Sequence, residues 1–277
     1  MATKKKMLKT ASEATSDINN QKKGFFSGAL RGMSKTHFII LAIVITGGIA
    51  LFTSIGVIAH NSSLRASSAE YEHLRLLRES GAEYDYLTGL SVGNSEAGAA
   101  QQSAVEIEML AINPDFVCWI RIDGTGIDYP VVRGTDNEKY LNTSFSGESN
   151  KAGTLFMDYR IVEESMPHII IYGHNLQEGG MFADLRKFLD AQFMQDNNII
   201  TLTVNGHDVR FAVFAARISD INDSAYFLDF SHRRGFMRFA DRINAPLHAT
   251  QILTLSTCTS GGSDDARMIV QAYRLFD

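Results

Sequence analysis

Residues 251–273, QILTLSTCTSGGSDDARMIVQAY, contain the sequence pattern on which the fold depends. Two β-rich runs, QILTLST (251–257) and ARMIVQAY (266–273), flank a loop of small and polar residues. Runs of this kind separated by a Gly-containing loop are typical of a β-hairpin. Such a hairpin would bring Arg267, nine residues after Cys258, back to the Cys258 end of the first strand.

Six further β-rich runs precede this hairpin, and only short helical patterns lie between them. These runs are VCWIRI (117–122), DYPVV (128–132), GTLFMD (153–158), HIIIY (168–172), IITLTV (199–204) and DVRFAVFAA (208–216). Eight strands with so little helix predict an all-β fold, an eight-stranded barrel with short helices, rather than a sheet of βαβ units. Short helices are predicted at 104–112, 138–142 and 181–188. A longer helix at 231–243 is predicted to lie over the barrel as an insert between two late strands.

An uncharged segment near the N-terminus, FIILAIVITGGIALFTSIGVIA (38–59), has the length and composition of a transmembrane helix. The formal charge of the whole chain is −5, whereas residues 1–37 alone carry +6, which leaves −11 on the remainder. The positive-inside rule then predicts a cytoplasmic N-terminus and an extracellular region from residue 60 onwards. A cleaved signal peptide is the alternative, but the length of the apolar run favours an uncleaved signal anchor.

The chain beyond the apolar segment divides at a stretch without periodicity. Residues 62–82 have the apolar spacing of a helix, and SVGNSEAGAAQQS (91–103) has the composition of a linker. We therefore predict a basic tail, a transmembrane anchor, a juxtamembrane helix with its linker, and a folded β-barrel domain that holds the site. These four parts span residues 1–37, 38–59, 60–103 and 104–277.

Cys258 is the first candidate for chemistry, because it ends a β-rich run and opens onto a Gly- and Ser-containing loop. A nucleophile must be fixed on one side and reachable on the other, and a strand end beside a loop meets both requirements. Most lone cysteines are inert packing residues, so the position alone does not establish a role. Cys118 alternates with apolar neighbours and is predicted to be a core residue. A disulfide between the two cysteines is an open alternative on an oxidising surface, although it would silence the nucleophile.

His174 and Arg267 are the other two candidates. His174 is the first polar side chain after the apolar strand in IIIYGHN (169–175). A cysteine and a histidine at strand ends form a possible pair of nucleophile and general acid–base. Arg267 would stabilise a thiolate or an oxyanion if the hairpin returns it to Cys258. A structural histidine and an ordinary surface arginine are the alternatives, and the residues alone do not decide between them.

Other kinds of site have little support in this sequence. The eight His are scattered, and no HExxH, CxxC, GxGxxG or P-loop motif is present, so we predict no metal and no cofactor. The acidic balance of the chain argues against nucleic acid as a partner.

Three separated motifs resemble those of the sortases, membrane-anchored cysteine transpeptidases of Gram-positive bacteria. They are YGHN (172–175), TLSTC (254–258) and Arg267 in the strand after the cysteine. Longer stretches that resemble the class B branch are residues 113–141, 153–160 and 172–185, together with the helix-bearing insert between 213 and 252. The resemblance covers residues 104–277 and implies an eight-stranded β-barrel of the sortase type.

The resemblance implies a two-step transfer without a cofactor. The Cys258 thiolate would attack the carbonyl after Thr in a five-residue sorting signal near the C-terminus of a surface protein, which gives a thioacyl enzyme. An amine of a peptidoglycan precursor or cell-wall peptide would then attack and join the protein to the wall. His174 would carry the proton of each amine, and Arg267 would hold the carbonyl oxygen or oxyanion.

The resemblance also implies a set of residues that line the peptide groove. These are Asn137, Leu141, Tyr172, Ser256 and Thr257. The insert around 226–230 and the helix after it would form one wall. Several class B members carry an acidic residue just after the cysteine, where this chain has Thr259 and Ser260. A carboxylate that orients His174 is therefore not predicted.

Three alternatives to a wall-anchoring transpeptidase remain open. A cysteine hydrolase would use the same residues and differ only in accepting water. A class B-like pilin polymerase would use a Lys of a pilin as the acceptor, and a non-enzymatic surface binding module would not need Cys258. The predicted partners are sorting-signal proteins, a wall amine and the membrane, and the predicted location is the cell membrane with the barrel outside.

Overall fold

The computed structural model describes residues 35–88, 103–163, 166–176, 179–230, 232–258 and 265–276. The predicted basic tail up to residue 34 and the predicted linker up to residue 102 lie outside these ranges. The side chain of Cys258 also lies outside the described part, although its backbone lies within it. The chain divides into two compact units, Met1–Asn61 and Ser62–Asp277.

The first helix, α1, runs over Lys35–Thr88 and contributes to both units. Its Lys35–Ser54 segment has a mean hydropathy of 2.1, and among the described residues it is the one stretch long and apolar enough to cross a membrane. Large side chains such as Ile43 and Phe52 are exposed along it. Packing within the first unit therefore does not explain why this segment is apolar.

The part of α1 in the second unit packs through an apolar face at helical spacing. Tyr71 and Leu74 are buried on this face, and the Tyr71 hydroxyl donates a hydrogen bond of 2.7 Å to the Gly153 carbonyl. The helix predicted over 62–82 is therefore present within a longer helix, and it shares one compact unit with the barrel. The functional division at residue 104 stays a prediction.

Eight strands form the second unit's barrel. Their bounds are β1 (Phe116–Ile122), β2 (Asp128–Val132), β3 (Leu155–Met157), β4 (His168–Tyr172), β5 (Ile199–Val204), β6 (His207–Asp220), β7 (Ile252–Cys258) and β8 (Ala266–Arg274). The barrel closes in the order β1-β2-β3-β4-β7-β8-β6-β5. The pairs β2–β3 and β4–β7 are parallel, and the other pairs are antiparallel. The predicted all-β barrel is confirmed.

The described part of the chain holds three further α-helices: α2 (Ala104–Ile112), α3 (Ala191–Asp196) and α4 (Arg233–Arg242). The α2 helix occupies the predicted residues, and its Ser103 cap accepts from the Glu106 backbone N–H at 3.2 Å. The α4 helix lies between β6 and β7, as predicted for the insert. It packs on the barrel through a separate cluster, whose buried members are Phe236, Phe239, Ile243 and Ile252.

Several predicted bounds differ from the structure. The stretches predicted as helices over 138–142 and 181–188 contain 3-10 helices, at Lys139–Leu141 and Ala183–Leu189. A third 3-10 helix spans Ser224–Tyr226. The β6 strand continues to Asp220, beyond the predicted end at 216, because β8 pairs with it along that extension. The α3 helix was not predicted.

The first cysteine is a core residue, as predicted. Cys118 is 1% exposed and takes part in no disulfide. It lies beside Trp119 and Ile120, which are also buried in the barrel interior. The alternative of a Cys118–Cys258 disulfide is therefore wrong, and Cys118 is a residue of the barrel core.

A buried histidine joins the barrel to the insert. His168 Nδ1 lies 2.8 Å from the Phe227 carbonyl oxygen, and Nε2 lies 2.8 Å from Thr254 Oγ1. A carbonyl only accepts, so Nδ1 carries the proton and Nε2 accepts from the threonine hydroxyl. Phe239 of α4 packs against the ring, with centroids 4.7 Å apart. Burial favours the neutral ring and lowers the pKa of His168 to about 4.

We expect this histidine to make the free energy of unfolding depend on pH. The unfolded chain binds a proton near the ordinary histidine pKa of 6.5, whereas folded His168 binds it only near pH 4. Stability is therefore fully present above the first value and falls by about 3 kcal/mol as the pH drops through this window. Urea unfolding on both sides of the window measures the slope. His168→Gln should flatten it, and an unchanged slope in that variant would contradict the assignment.

Candidate active site

Three strand ends meet at one end of the barrel. In the parallel β4–β7 pair, Tyr172 is the register partner of Ser256. In the antiparallel β7–β8 pair, Cys258 is the register partner of Arg267. Since His174 follows β4 by two residues, the registers bring its backbone to the end of β7 that carries Cys258. The predicted return of Arg267 to Cys258 is confirmed.

A cleft of about 490 Å³ opens at this end of the barrel. His174 and Arg267 line it, and so do all the residues predicted for the peptide groove. Those residues are Asn137, Leu141, Tyr172, Ser256 and Thr257. The sequence did not single out Phe156 and Ile221, which also line it. The predicted site residues therefore share one surface, at the end of the strand that carries Cys258.

His174 is held by a carbonyl and by close packing of the preceding residue. Its Nε2 lies 2.6 Å from the Leu141 carbonyl oxygen, so Nε2 carries a proton and donates. In the neutral ring Nδ1 is then the unprotonated nitrogen. A Cβ at Gly173 would overlap the Leu155 and Phe182 side chains, which explains the glycine before the histidine. In the described part of the chain a carbonyl, not a carboxylate, bonds to His174.

Arg267 opens β8 directly across from the Cys258 backbone. The side chain is partly buried in the cleft wall, and Nη1 donates to the Ala266 carbonyl at 3.0 Å. A guanidinium stays charged at every physiological pH. The cleft wall therefore carries a permanent positive charge across from the backbone of Cys258.

The insert supplies one wall of the cleft through Tyr226. Its hydroxyl and Ser256 Oγ lie 2.8 Å apart in a hydrogen bond, and its ring stacks on Tyr172 with 14° between the planes. The rest of the predicted wall lies elsewhere. Phe230 packs against Phe236 of α4, with ring centroids 5.6 Å apart, and neither lines this cleft. Hydrophobic burial under α4 thus takes most of the segment away from the groove.

Thr257 has an unused hydroxyl at the cleft. The residue is 3% exposed, and its Oγ1 has no hydrogen-bond partner among the described residues. A buried polar group without a partner costs about 1–3 kcal/mol. The fold thus tolerates a buried hydroxyl without a partner at the residue before Cys258.

A buried carboxylate that the sequence did not single out lies behind the groove. Asp158, after β3, is fully buried and accepts hydrogen bonds from the Tyr172 hydroxyl at 3.0 Å and from Asn137 Nδ2 at 3.1 Å. Arg160 pairs with it through Nε at 2.9 Å and Nη2 at 2.8 Å. The available signal was an acidic residue at the end of the apolar run GTLFMD (153–158), which we interpreted only as a strand.

The structure also bears on metal binding. Among the residues it describes, no group of three or more His, Cys, Asp or Glu side chains is placed to hold a metal ion.

A closed barrel with Cys, His and Arg at adjoining strand ends is the arrangement of one class of enzyme. The family model described as the sortase domain matches residues 120–275. The chain belongs to the sortase family, whose members are cysteine transpeptidases.

The relatives of this chain are class B sortases. Sortase B of Staphylococcus aureus is 32% identical over 174 residues, which cover 59% of this chain and 71% of the relative. Sortase B of Listeria monocytogenes is 31% identical over 177 residues, with the same coverages of 59% and 71%. The predicted class B resemblance is confirmed at this level of identity.

Solved structures agree with the fold. A mutant form of Clostridium perfringens sortase B superposes with a TM-score of 0.64 at 27% identity, covering 76% of this chain and 98% of that one. The Staphylococcus aureus sortase B–substrate complex gives a TM-score of 0.65 at 26% identity, covering 76% of this chain and 97% of that one. The likeness therefore extends over nearly the whole of each solved chain.

Proposed function

We propose that this chain is a membrane-anchored transpeptidase that cleaves a C-terminal sorting signal after Thr and transfers the protein to a peptidoglycan amine. The observation that carries the proposal is the pairing of Cys258 with Arg267 beside a cleft that His174 also lines. Membership of the sortase family supports the cysteine chemistry.

In the first step the Cys258 thiolate adds to the carbonyl carbon of the signal's Thr. A C–S bond forms, and the carbonyl electron pair moves to the oxygen. Arg267 stabilises this oxyanion by charge-assisted hydrogen bonding. The C–N bond then breaks, His174 protonates the leaving amine, and a thioacyl enzyme remains.

In the second step an amine of the cell wall attacks the thioacyl carbon. A new C–N bond forms, the C–S bond breaks, and His174 takes the proton that the amine loses. The Leu141 carbonyl holds Nε2 with its proton. The transferred proton therefore moves through Nδ1 in both steps, which fixes the side of the ring that faces the substrate.

We assign the remaining cleft residues to peptide binding. The wall combines aromatic and aliphatic surface with a few polar atoms, a composition typical of peptide and ligand sites. The polar positions are Asn137, Ser256 and Thr257, and the apolar contacts come from Leu141 and Tyr172. By likeness to the Staphylococcus aureus sortase B–substrate complex, the occupant is a sorting-signal peptide.

Thr257 gives a prediction that separates binding from stability. In Thr257→Val the unbonded hydroxyl is lost at nearly constant volume, so we expect the free energy of unfolding to stay equal or rise by about 1 kcal/mol. We expect kcat/KM to fall about tenfold, because a hydrogen bond to the peptide is lost. Thr257→Ser keeps the hydroxyl and is the control. An unchanged kcat/KM in the valine variant would remove Thr257 from the binding site.

The Lys35–Ser54 segment of α1 supports a single-pass anchor. The excess of Lys and Arg before it supports a cytoplasmic N-terminus under the positive-inside rule. The barrel would then act outside the cell, where both surface proteins and wall amines are present. A cysteine modification assay on intact cells tests this orientation.

Mass spectrometry of the full chain in detergent tests the proposed function. The probe is a pool of peptides in which Thr is fixed and its neighbours are randomised, with triglycine as the acceptor amine. We expect an acyl adduct on Cys258 that triglycine converts into a ligated peptide. If water releases the acyl group from Cys258 equally fast with and without triglycine, the chain is a hydrolase and not a transpeptidase. Absence of any adduct would replace it with the binding module.

A further inference from the structure

Asp158 is a buried carboxylate on the groove side of the barrel that accepts five hydrogen bonds. It is fully buried, and its two oxygens accept from the Arg160 backbone N–H, Arg160 Nε and Nη2, Asn137 Nδ2 and the Tyr172 hydroxyl. Two of these donors, Asn137 and Tyr172, line the cleft, whereas Asp158 itself does not. The carboxylate therefore lies behind the groove and bonds to two side chains that form its surface.

The bonds to Asn137 fix which way its amide points. Nδ2 donates to Asp158 Oδ2 at 3.1 Å, while Oδ1 accepts from the Tyr159 backbone N–H at 3.1 Å. A carboxylate cannot donate and a backbone N–H cannot accept, so a flipped amide would lose both bonds. The second N–H of Nδ2 has no partner among the described residues, and it is available to an acceptor on a bound peptide.

The bond to Tyr172 fixes which part of this residue faces the groove. Its hydroxyl donates to Asp158 Oδ2 at 3.0 Å, and burial raises its pKa further above the ordinary range, so it stays a donor. The hydroxyl is directed into the protein, and the ring lies between Phe156 and Tyr226 at centroid distances of 5.4 Å and 6.4 Å. The cleft therefore presents an aromatic surface at this position.

Arg160 compensates the buried negative charge of Asp158 by pairing with it. An unpaired buried carboxylate would take up a proton, since burial raises its pKa. Here the hydrogen bonds from Arg160 and Tyr172 outweigh burial and lower the pKa of Asp158 below its ordinary value. The acceptor is thus ionised throughout the working range, and the orientations of Asn137 and Tyr172 do not change with pH there.

We infer that Asp158 is a positioning residue for substrate recognition: it sets Asn137 as a hydrogen-bond donor and Tyr172 as an aromatic surface for the sorting-signal peptide. The inference rests on the proposed function, because it assigns a peptide to this cleft. Asp158 touches neither the peptide nor the reacting atoms. It restricts the side chains of Asn137 and Tyr172 to the orientations that bind the peptide.

Steady-state kinetics of Asp158→Asn in the full chain tests the inference. The probe is the best-cleaved member of the Thr-fixed peptide pool. We expect KM to rise at least about tenfold while kcat stays within about threefold, because ground-state and transition-state binding are weakened equally. The rate of Cys258 alkylation by iodoacetamide should not change. A fall in kcat at constant KM, or a slowed alkylation, would overturn the positioning role.

Two further variants keep the test decisive. Asp184→Asn is the matched control, since Asp184 accepts from the Gly126 N–H and from Lys187 away from the cleft, and it should leave KM unchanged. Tyr172→Phe removes only the hydroxyl and should also raise KM. The double variant with Asp158→Asn should raise KM by less than the product of the two single effects, because both remove the same bond. Fully multiplicative effects would overturn the inference.

The outcomes also separate this inference from the proposed function. If the unsubstituted chain forms no acyl adduct with the pool, the proposed function fails. If it cleaves the peptide but KM is the same in Asp158→Asn and Tyr172→Phe, only the role of Asp158 fails. Should Asp158→Asn not fold, Tyr172→Phe alone decides: a raised KM supports the inference, and an unchanged KM overturns it.

Discussion

The Cys258→Ala variant is expected to lose peptide cleavage and amine transfer by at least about 10⁴-fold, because no other group can take the nucleophile's place. Its backbone lies in β7 and pairs with β8, and alanine satisfies the same backbone bonds. The fold should therefore survive, with an unchanged melting temperature. Cleavage of a fluorogenic Thr-containing peptide by the full chain measures the loss.

The second cysteine of the chain is the control for this result. Cys118 is buried in the barrel, so Cys118→Ala should lower stability by about 1 kcal/mol and leave kcat/KM unchanged. If Cys258→Ala retained more than a trace of turnover, the thioacyl mechanism would be wrong. Loss of activity in Cys118→Ala without loss of fold would likewise contradict the assignment of the nucleophile.

The variants His174→Ala and Arg267→Ala are each expected to lower kcat/KM by at least about 10²-fold. In the proposed mechanism, the first variant loses the group that moves the proton of each amine, and the second loses the charge that stabilises the oxyanion. Neither substitution should change the stability of the fold, measured as its melting temperature. Initial rates over a range of peptide concentrations give the two effects.

Matched substitutions exist elsewhere on the same strands. Arg274 is at the far end of β8 from Arg267, where Nη1 donates to Gln251 Oε1 at 3.3 Å, and Arg274→Ala should keep normal kcat/KM. His207 is exposed at the start of β6, and His207→Ala should behave in the same way. Near-normal activity of His174→Ala or Arg267→Ala would refute the role of that residue.

The β-rich runs were enough to predict the barrel and the return of Arg267 to Cys258, whereas the meeting of His174 with these residues was implied only by the resemblance to the sortases. A strand shows either alternating apolar and polar residues or a continuous apolar run of four to eight residues, and either pattern can be recognised from neighbouring residues alone. The hairpin geometry then follows, because the eight residues between Cys258 and Arg267 suffice for a strand to turn back. The register that pairs Tyr172 with Ser256 was not accessible in this way, since parallel neighbours are far apart in the chain.

The features that escaped prediction depend on tertiary contacts. A single Asp after an apolar strand gives no sign that Tyr172 and Asn137 will converge on it. The same holds for the end of β6, which β8 stabilises up to Asp220, and for the 3-10 form of Ala183–Leu189. The insert was placed correctly, but Tyr226 lines the cleft while Phe230 packs against Phe236 of α4, and nothing local in the sequence distinguishes the two sides.

The parallel pairing of β4 with β7 affects the order in which the parts of the site fold together. His168 and Thr254, bonded across this pair, are 86 positions apart, and loops that close such distances form late and slowly. During synthesis the strand that precedes His174 is therefore made long before the strand that ends in Cys258. The two strands pair only when the barrel closes, so the growing chain carries no assembled site.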